Sequence, residues 1–166
     1  DLRAEKKVQQ KALGTTLITF TAGLVTGAVP YPNLYNGSGA HDPDYYIYSG
    51  EGFQTMGLTE FLSDRYTALF LHHDFGGLLY RSNGFSPTLA AVTNIGFGSL
   101  QHPERHRNLA FSTMEKGYYE SGLMVNDLLG TGFFGLGIGG FYRYGAYSKP
   151  VFKDNLALKG VLNFKF

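Results

Sequence analysis

The chain has 166 residues, with 14 Lys and Arg against 13 Asp and Glu, a net charge of +1 and no cysteine. This length suits a single domain, and the balanced charge provides no field that would attract nucleic acid, so no nucleic-acid partner is expected. The absence of cysteine excludes disulfide frameworks and thiol catalysis. The longest apolar run, residues 128–141, is interrupted by glycines and is shorter than the roughly 20 residues that a membrane-spanning helix needs.

The composition is unusual for a water-exposed domain. Aromatic residues make up 16% of the chain, 23 residues are glycine, and charged residues account for only 16%, against about 25% in ordinary soluble domains. Many Tyr, Phe and Gly with few charges are typical of a β-sheet whose outer surface meets something other than water.

The first half of the chain begins with a polar segment and continues with alternating segments. Residues 1–13 are interpreted as a polar lead or linker, and residues 14–166 as the folded segment. Apolar and small or polar residues alternate with a period of two over residues 15–25, 66–80 and 88–99, which predicts three strands. The segment between the first two of these strands, at about 28–65, is rich in Gly, Pro and Asn and is predicted to form one long loop.

The second half repeats this organisation. A polar loop at about 100–117 precedes three more alternating segments, residues 118–128, 133–144 and 155–166. Short turns are predicted at 81–86, around Asn83-Gly84, and at 129–132. Glycines on the small or polar face of two strands form a stripe: Gly96, Gly98, Gly135, Gly137 and Gly139. This stripe would allow an inserted loop to approach closely, although strong bending of the sheet explains it equally well.

Six segments of about ten residues, each with one apolar face, predict an all-β fold of the antiparallel transmembrane β-barrel type. Strands of a soluble sandwich, the competing architecture, average about 5 to 6 residues. Long and short connections alternate along the chain, which places both long loops on the extracellular side of a bacterial outer membrane. The expected partner of the apolar face is therefore outer-membrane lipid.

Six strands do not close a membrane barrel, which needs at least eight. The favoured interpretation makes this chain the C-terminal strands of a larger barrel. It is favoured because the segment 45–48, which the alternative would need as a spanning strand, is too short and is surrounded by Gly, Pro and Asp. The alternative is a complete eight-strand barrel in which residues 45–61 supply a hairpin of two further spanning strands.

The C-terminus resembles the terminal strand by which the outer-membrane assembly machinery recognises barrels. Phe166 and Phe164 occupy the last and third-last positions, and Lys159 provides a polar residue seven positions before the end. These three residues are the candidate insertion signal, and the assembly machinery is the implied partner.

Several motifs resemble the C-terminal region of a Bacteroidetes outer-membrane family of unassigned function. The residues that carry this resemblance are Ser63-Asp64-Arg65-Tyr66, His102-Pro103-Glu104-Arg105-His106, Met114-Glu115-Lys116-Gly117 and Phe141-Tyr142-Arg143-Tyr144. That family carries an N-terminal carboxypeptidase-regulatory-like domain. The resemblance implies upstream residues and an outer-membrane barrel.

A weaker resemblance connects the chain with the insertase and two-partner-secretion barrel superfamily. In that group a long loop folds into the lumen and ends in an Arg-containing motif, after which five strands complete the barrel. Here the loop ends at Asp64-Arg65, and Glu120 lies on the same face as the glycine stripe. The resemblance implies a luminal lock formed by Arg65, Asp64 and Glu120.

No pattern indicates an active site, a cofactor or a metal. His72 and His73 are adjacent, so they point to opposite faces of a strand and cannot bind one ion together. No phosphate loop or nucleophile elbow is present. No catalytic residue is assigned, and a barrel enzyme is the least favoured function.

We therefore expect a non-enzymatic outer-membrane protein that assists the assembly or export of outer-membrane or surface proteins. The alternative is a passive channel or a structural subunit in contact with other envelope subunits. The location of residues 29–64 distinguishes them, because a loop inside the lumen favours the first function and a loop folded outward favours the second.

Overall fold

A computed structural model of the chain describes residues 1–42, 44, 46–77, 85–106, 109–130 and 133–164. Its strands, in chain order, are β1 (Leu2–Gln9), β2 (Thr15–Leu24), β3 (Gly39–His41), β4 (Phe53–Gly57), β5 (Arg65–Asp74), β6 (Thr88–Ser99), β7 (Tyr118–Gly130), β8 (Phe134–Tyr144) and β9 (Leu156–Phe164). Short 3-10 turns occur at Lys11–Leu13, Tyr31–Asn33, Pro103–Arg105 and Phe152–Asn155. No helix in the described ranges is long and apolar enough to cross a membrane.

Seven of these strands form one antiparallel sheet in the order β1-β2-β5-β6-β7-β8-β9. The predicted all-β, antiparallel fold is confirmed. Over the part of the chain that the structure describes, β1 and β9 are the two edges of this sheet. β3 and β4 pair in parallel and form a separate two-stranded sheet within the connection between β2 and β5.

Two expectations about the strands require correction. Residues 1–13 are not a linker, because Leu2 to Gln9 pair with Ala22 to Thr15 along the whole of β1. Residues 45–61 do not add a hairpin of two spanning strands, because the strand formed there, β4, pairs with β3 and not with the main sheet. Within the described residues of this segment, 46–61, the extra pair of strands required by the eight-strand alternative is therefore not formed.

The two faces of the sheet differ in chemistry. We call the face that carries Glu120 the inner face and the opposite one the outer face. Outer-face positions of β2 and β5 to β9 are mostly apolar, and many are exposed, such as Leu123 at 61%, Ile138 at 63% and Leu158 at 64%. Among the described strands, Lys6 in β1 and Arg65 at the start of β5 are the outer-face residues with a permanent charge.

Aromatic side chains gather at the end of the sheet from which the long loops leave. On the outer face Tyr119 stacks on Tyr144 with ring centroids 6.0 Å apart, Phe97 meets Tyr119 edge-on, and Tyr142 stacks on Phe152. We call this end the loop end, and the opposite one the turn end.

The inner face is covered by the connection between β2 and β5, residues 25–64, which we call the long loop. Phe53, Met56 and Phe61 of this loop pack against Phe70 and Tyr118 of the sheet in one buried cluster. Phe53 is fully buried, and its ring lies 5.3 Å from that of Phe70 and 4.9 Å from that of Tyr118. The core of the molecule therefore lies between the sheet and its own loop.

Candidate functional site: a clamp on the long loop

Two buried charges stand side by side on the inner face. Glu120 in β7 and Arg143 in β8 are directly opposite in the strand register, and their exposed fractions are 0% and 1%. A charge removed from water in this way is costly unless it is paired and fully hydrogen-bonded. The partners of both side chains come largely from the long loop.

Glu120 accepts four hydrogen bonds. Its Oε1 accepts from the Gln54 N–H and from Asn94 Nδ2, each at 2.9 Å. Its Oε2 accepts from the Thr55 N–H and from Thr55 Oγ1, each at 2.6 Å. Both oxygens of the carboxylate are therefore occupied, and three of the four donors belong to β4 in the long loop.

Arg143 binds the loop in two places. Its Nη1 and Nη2 donate to the two carboxylate oxygens of Glu60, at 2.6 and 3.0 Å, in the bidentate geometry that makes such pairs strong. Nη2 also donates to the Thr55 carbonyl oxygen at 2.6 Å. The guanidinium carbon lies 5.0 Å from the centre of the Tyr118 ring, which adds a cation–π contact.

Glu60 is ionised over a wide pH range. Burial alone would raise the pKa of its carboxyl group, but the hydrogen bonds from Arg143 and from the Gly57 N–H, together with the charge of Arg143, outweigh burial. The net effect is a pKa below the usual value. The ion pair between Glu60 and Arg143 is therefore intact at neutral pH.

The result is a clamp that holds the main chain of the loop. Glu120 accepts from the amide of Thr55 and Arg143 donates to its carbonyl, so two neighbouring strands grip both backbone groups of one residue. Glu120, Arg143, Glu60, Asn94 and Thr55 are the members of this clamp. The clamp therefore holds the loop both through backbone groups of Gln54 and Thr55 and through the side chains of Thr55 and Glu60.

Glycine permits the close contact between loop and sheet at two positions of β6. A Cβ atom on Gly96 would lie 2.7 Å from the Phe53 ring, and one on Gly98 would lie 2.2 Å from Ser63 Oγ. The other members of the predicted stripe behave differently. Gly135 faces Asp127, Gly137 faces the backbone of β7, and Gly139 faces Met124 and Phe141. These three contact the sheet itself and not the loop.

The loop between β6 and β7, residues 100–117, is joined to the long loop. The Leu62 N–H donates to the Ser112 carbonyl at 3.0 Å, and the Ser112 N–H donates to the Glu60 carbonyl at 2.8 Å. Leu34, Leu62 and Leu100 form a small buried cluster beside this contact. The two loops together close the loop end of the inner face.

The long loop also reaches both edges of the sheet. At β9 the Gly160 N–H donates to the Tyr46 carbonyl, and the Tyr48 N–H donates to the Gly160 carbonyl at 2.8 Å. At β1 the carboxylate of Glu51 pairs with Arg3. The loop therefore bridges the space between the two edge strands.

Towards the turn end the inner face is apolar. Its buried cluster consists of Ala90, Val92, Met124, Phe141, Ala157 and Val161. Tyr48 of the long loop stacks on Phe141 at 5.5 Å, and burial raises the pKa of Tyr48 to about 12. Over β6 to β9 this cluster and the long loop bury most inner positions, whereas the inner positions of β1 are polar and exposed: Arg3, Glu5, Lys7 and Gln9.

The predicted pair between Arg65 and Glu120 does not form. Arg65 lies on the outer face, where its Nε is 3.3 Å from Asp64 Oδ1, and Glu120 binds Gln54, Thr55 and Asn94. Asp64 accepts the Gln101 N–H through its other oxygen. Of the three predicted lock residues, only Glu120 therefore holds the loop, and Arg143 takes the role expected of Arg65.

The remaining predicted residues lie apart from the clamp. Lys159 is buried on the inner face of β9, and its Nζ donates to the Ala40 carbonyl at 3.3 Å. Phe164 is the last residue of β9, and Phe166 lies outside the described residues. His73 faces outward and bonds to Thr16 and to the Leu13 carbonyl, whereas His72 points to the inner face, as alternation requires.

Sequence reasoning missed Arg143, Glu60 and Thr55. Arg143 carried a usable signal, since it is the charged residue on the glycine face of β8 and its register partner is Glu120. Glu60 and Thr55 carried none, because they belong to a segment without periodicity.

Comparison with protein-family models, with curated proteins and with solved structures finds no match for this chain.

Proposed function

We propose that the chain is the C-terminal part of a larger transmembrane β-barrel of a bacterial outer membrane, and that its long loop fills the lumen. In this proposal the outer face meets lipid, and the protein has no enzymatic activity and assists the assembly or export of outer-membrane or surface proteins. Contact with the outer-membrane assembly machinery and with other envelope subunits is part of the same proposal.

The lipid assignment is supported by the outer face. Strands of 9–11 residues suffice to span a bilayer, and β2 and β5 to β9 are about this length or longer. Their outer positions are mostly apolar, and the aromatic side chains at the loop end resemble the interfacial girdles of membrane barrels. In water, an exposed apolar face of this extent would promote association.

The clamp is the observation that carries the functional choice. A passive channel needs a continuous polar path, but the long loop and the apolar cluster bury most of the inner positions of β6 to β9. A loop held by the side chains of Glu120 and Arg143 can leave without a change in the sheet, once these two residues find other partners. A strand of a client protein offers the same amide and carbonyl groups, which is why we favour assembly or export.

The function is tested by depleting the protein and measuring folded barrels and surface proteins in the envelope. We expect their amounts to fall while their transcripts remain constant. Unchanged amounts would contradict a role in assembly or export. Conductance across a planar bilayer is the second readout, since steady open-channel currents would favour the passive channel.

A further inference from the structure

A cavity of about 270 Å³ lies between the long loop and the inner face of β2, β5 and β6. The loop contributes Tyr48 and Glu51 to its wall, and the strands contribute Thr19, Phe70, His72 and Asn94. Of these residues only Asn94 belongs to the clamp. The cavity is therefore a separate feature of the inner face.

Two almost fully buried side chains of the cavity wall have polar atoms without a partner. Thr19 is 1% exposed, and within the described part of the chain its hydroxyl makes no hydrogen bond. Asn94 is 2% exposed, and its Nδ2 donates to Glu120 and to the Gly52 carbonyl. Its Oδ1 has no partner among the described residues. Buried polar atoms are rarely left unpaired, so these two indicate that the cavity holds a polar molecule.

Two further groups complete a hydrogen-bonding set without net charge. The Tyr48 hydroxyl and the ring nitrogens of His72 line the cavity and make no hydrogen bond to the described residues. Tyr48 keeps its proton at neutral pH because its pKa is about 12, and an imidazole is mostly neutral above pH 7. The charge of Glu51 is balanced, since both of its carboxylate oxygens accept from the guanidinium of Arg3 at 2.5 Å.

The size and the chemistry of the cavity restrict its ligand. Sites for drug-sized ligands measure about 300–1,000 Å³, so this cavity suits a smaller molecule and not a peptide strand or a lipid. An anion would find no unpaired cation in the wall, and an apolar molecule would leave Thr19 and Asn94 without partners. Phe70 and Val92, both buried, supply an apolar side. The ligand that fits is compact and neutral and carries both hydroxyl and C–H groups.

We propose that this cavity binds a neutral monosaccharide. Thr19 and Tyr48 would exchange hydrogen bonds with its hydroxyl groups, Asn94 Oδ1 would accept from another, and the C–H groups of the sugar ring would pack on Phe70. Next to Thr19 lies Glu5 of β1, an exposed residue on the inner face, so the sugar would enter from the side of β1. The described strands and loop form the cavity, and this inference does not depend on the membrane location proposed above.

The test is saturation-transfer NMR of the full chain, kept in a detergent without sugar groups, with glucose, galactose and mannose as probes. We expect at least one sugar to bind with a dissociation constant of about 1 mM, as is typical of a ligand of about 12 non-hydrogen atoms. Thr19→Val removes only the hydroxyl and should raise this constant about fivefold. Thr21→Val is the matched control and should leave it unchanged. Thr21 also lies on the inner face of β2 with its hydroxyl buried and unpartnered, but it does not line the cavity.

His72→Leu is the second variant, and it decides the matter if Thr19→Val does not fold. It should weaken binding as well, because it removes another hydrogen-bonding group from the wall. Absence of saturation transfer to all three sugars would show that the cavity holds only water and would overturn the proposal. Unchanged binding in the folded variants would place the sugar elsewhere, and stronger binding of glucuronate than of glucose would contradict a neutral ligand.

Discussion

Glu120→Gln removes the negative charge at the centre of the clamp and preserves the shape of the side chain. The carboxylate accepts four hydrogen bonds, whereas a glutamine amide offers one oxygen and one NH₂ group. If the NH₂ group replaces Oε1, the Gln54 N–H and Asn94 Nδ2 lose their acceptor. If it replaces Oε2, the Thr55 N–H loses its acceptor.

The cost follows from these losses. A buried donor without an acceptor costs about 1–3 kcal/mol, and the remaining bonds are no longer charge-assisted, which roughly halves their strength. Relief of the desolvation of a buried charge offsets part of this cost. We therefore expect the attachment of the loop to weaken by about 2–3 kcal/mol.

Hydrogen exchange of the Gln54 and Thr55 amides measures this directly, because both amides are bonded to Glu120. When exchange occurs through local opening, a loss of about 2–3 kcal/mol accelerates it roughly 30- to 150-fold. Exchange of amides within β6, on the far side of Asn94, should change much less. Glu104→Gln is the matched control in an exposed loop.

A rate of exchange at Gln54 and Thr55 within threefold of the unaltered protein would refute the reasoning. It would mean that the apolar contacts of Phe53 and Phe61 hold the loop without help from the clamp. Both residues are almost fully buried, so their apolar contacts are the competing explanation for how the loop is held.

Three further predictions concern the same loop. Arg143→Lys keeps the charge but loses the bidentate pair with Glu60, so cleavage of the long loop by thermolysin should accelerate about tenfold. An unchanged cleavage rate would contradict the role of this pair. Because the pKa of Glu60 is lower in the folded protein than its ordinary value of 4.5, its stabilisation is complete above about pH 4.5 and is lost as the pH falls through the folded value. Cleavage by pepsin should therefore accelerate between pH 5 and pH 3, and Glu60→Gln should flatten this profile; equal profiles would argue against the pair. Gly96→Ala places a Cβ atom 2.7 Å from the Phe53 ring and should lower the free energy of unfolding, measured by thermal unfolding, by about 1–3 kcal/mol. Gly140→Ala is the control and should be tolerated, because the nearest neighbour of its Cβ atom lies at 3.6 Å. Equal effects of the two substitutions would show that the loop does not pack closely against β6.

The fold was largely readable from the sequence because period-two alternation is a local property of each strand. The exception is β1, where Leu2, Ala4 and Val8 lie on the outer face but Lys6 interrupts their pattern. Pairing with β2 defines this strand, and that pairing has no signal within residues 1–13. Propensity alone therefore favoured a polar linker.

Only part of the clamp could be predicted from the sequence. Glu120 was found because it is a carboxylate on a face of small residues, but its partner was assigned to the wrong arginine. Tyr66 faces inward, so alternation places Arg65 on the outer face with Leu69 and Leu71. The partners that do reach Glu120 belong to an irregular loop, whose path is determined by tertiary packing and not by local pattern.

The central claim, that the outer face meets lipid, is tested most directly by spin labels on single cysteines, since the chain has none of its own. Labels at Leu123, Ile138 and Leu158 on the outer face are compared with one at Leu58 in the long loop, which is also exposed, at 52%. In the native membrane we predict that the three outer-face labels are accessible to oxygen and protected from a water-soluble nickel complex, whereas the label at Leu58 is accessible to the nickel complex. Equal accessibility of all four labels to the nickel complex would show that the outer face meets water and would contradict the account.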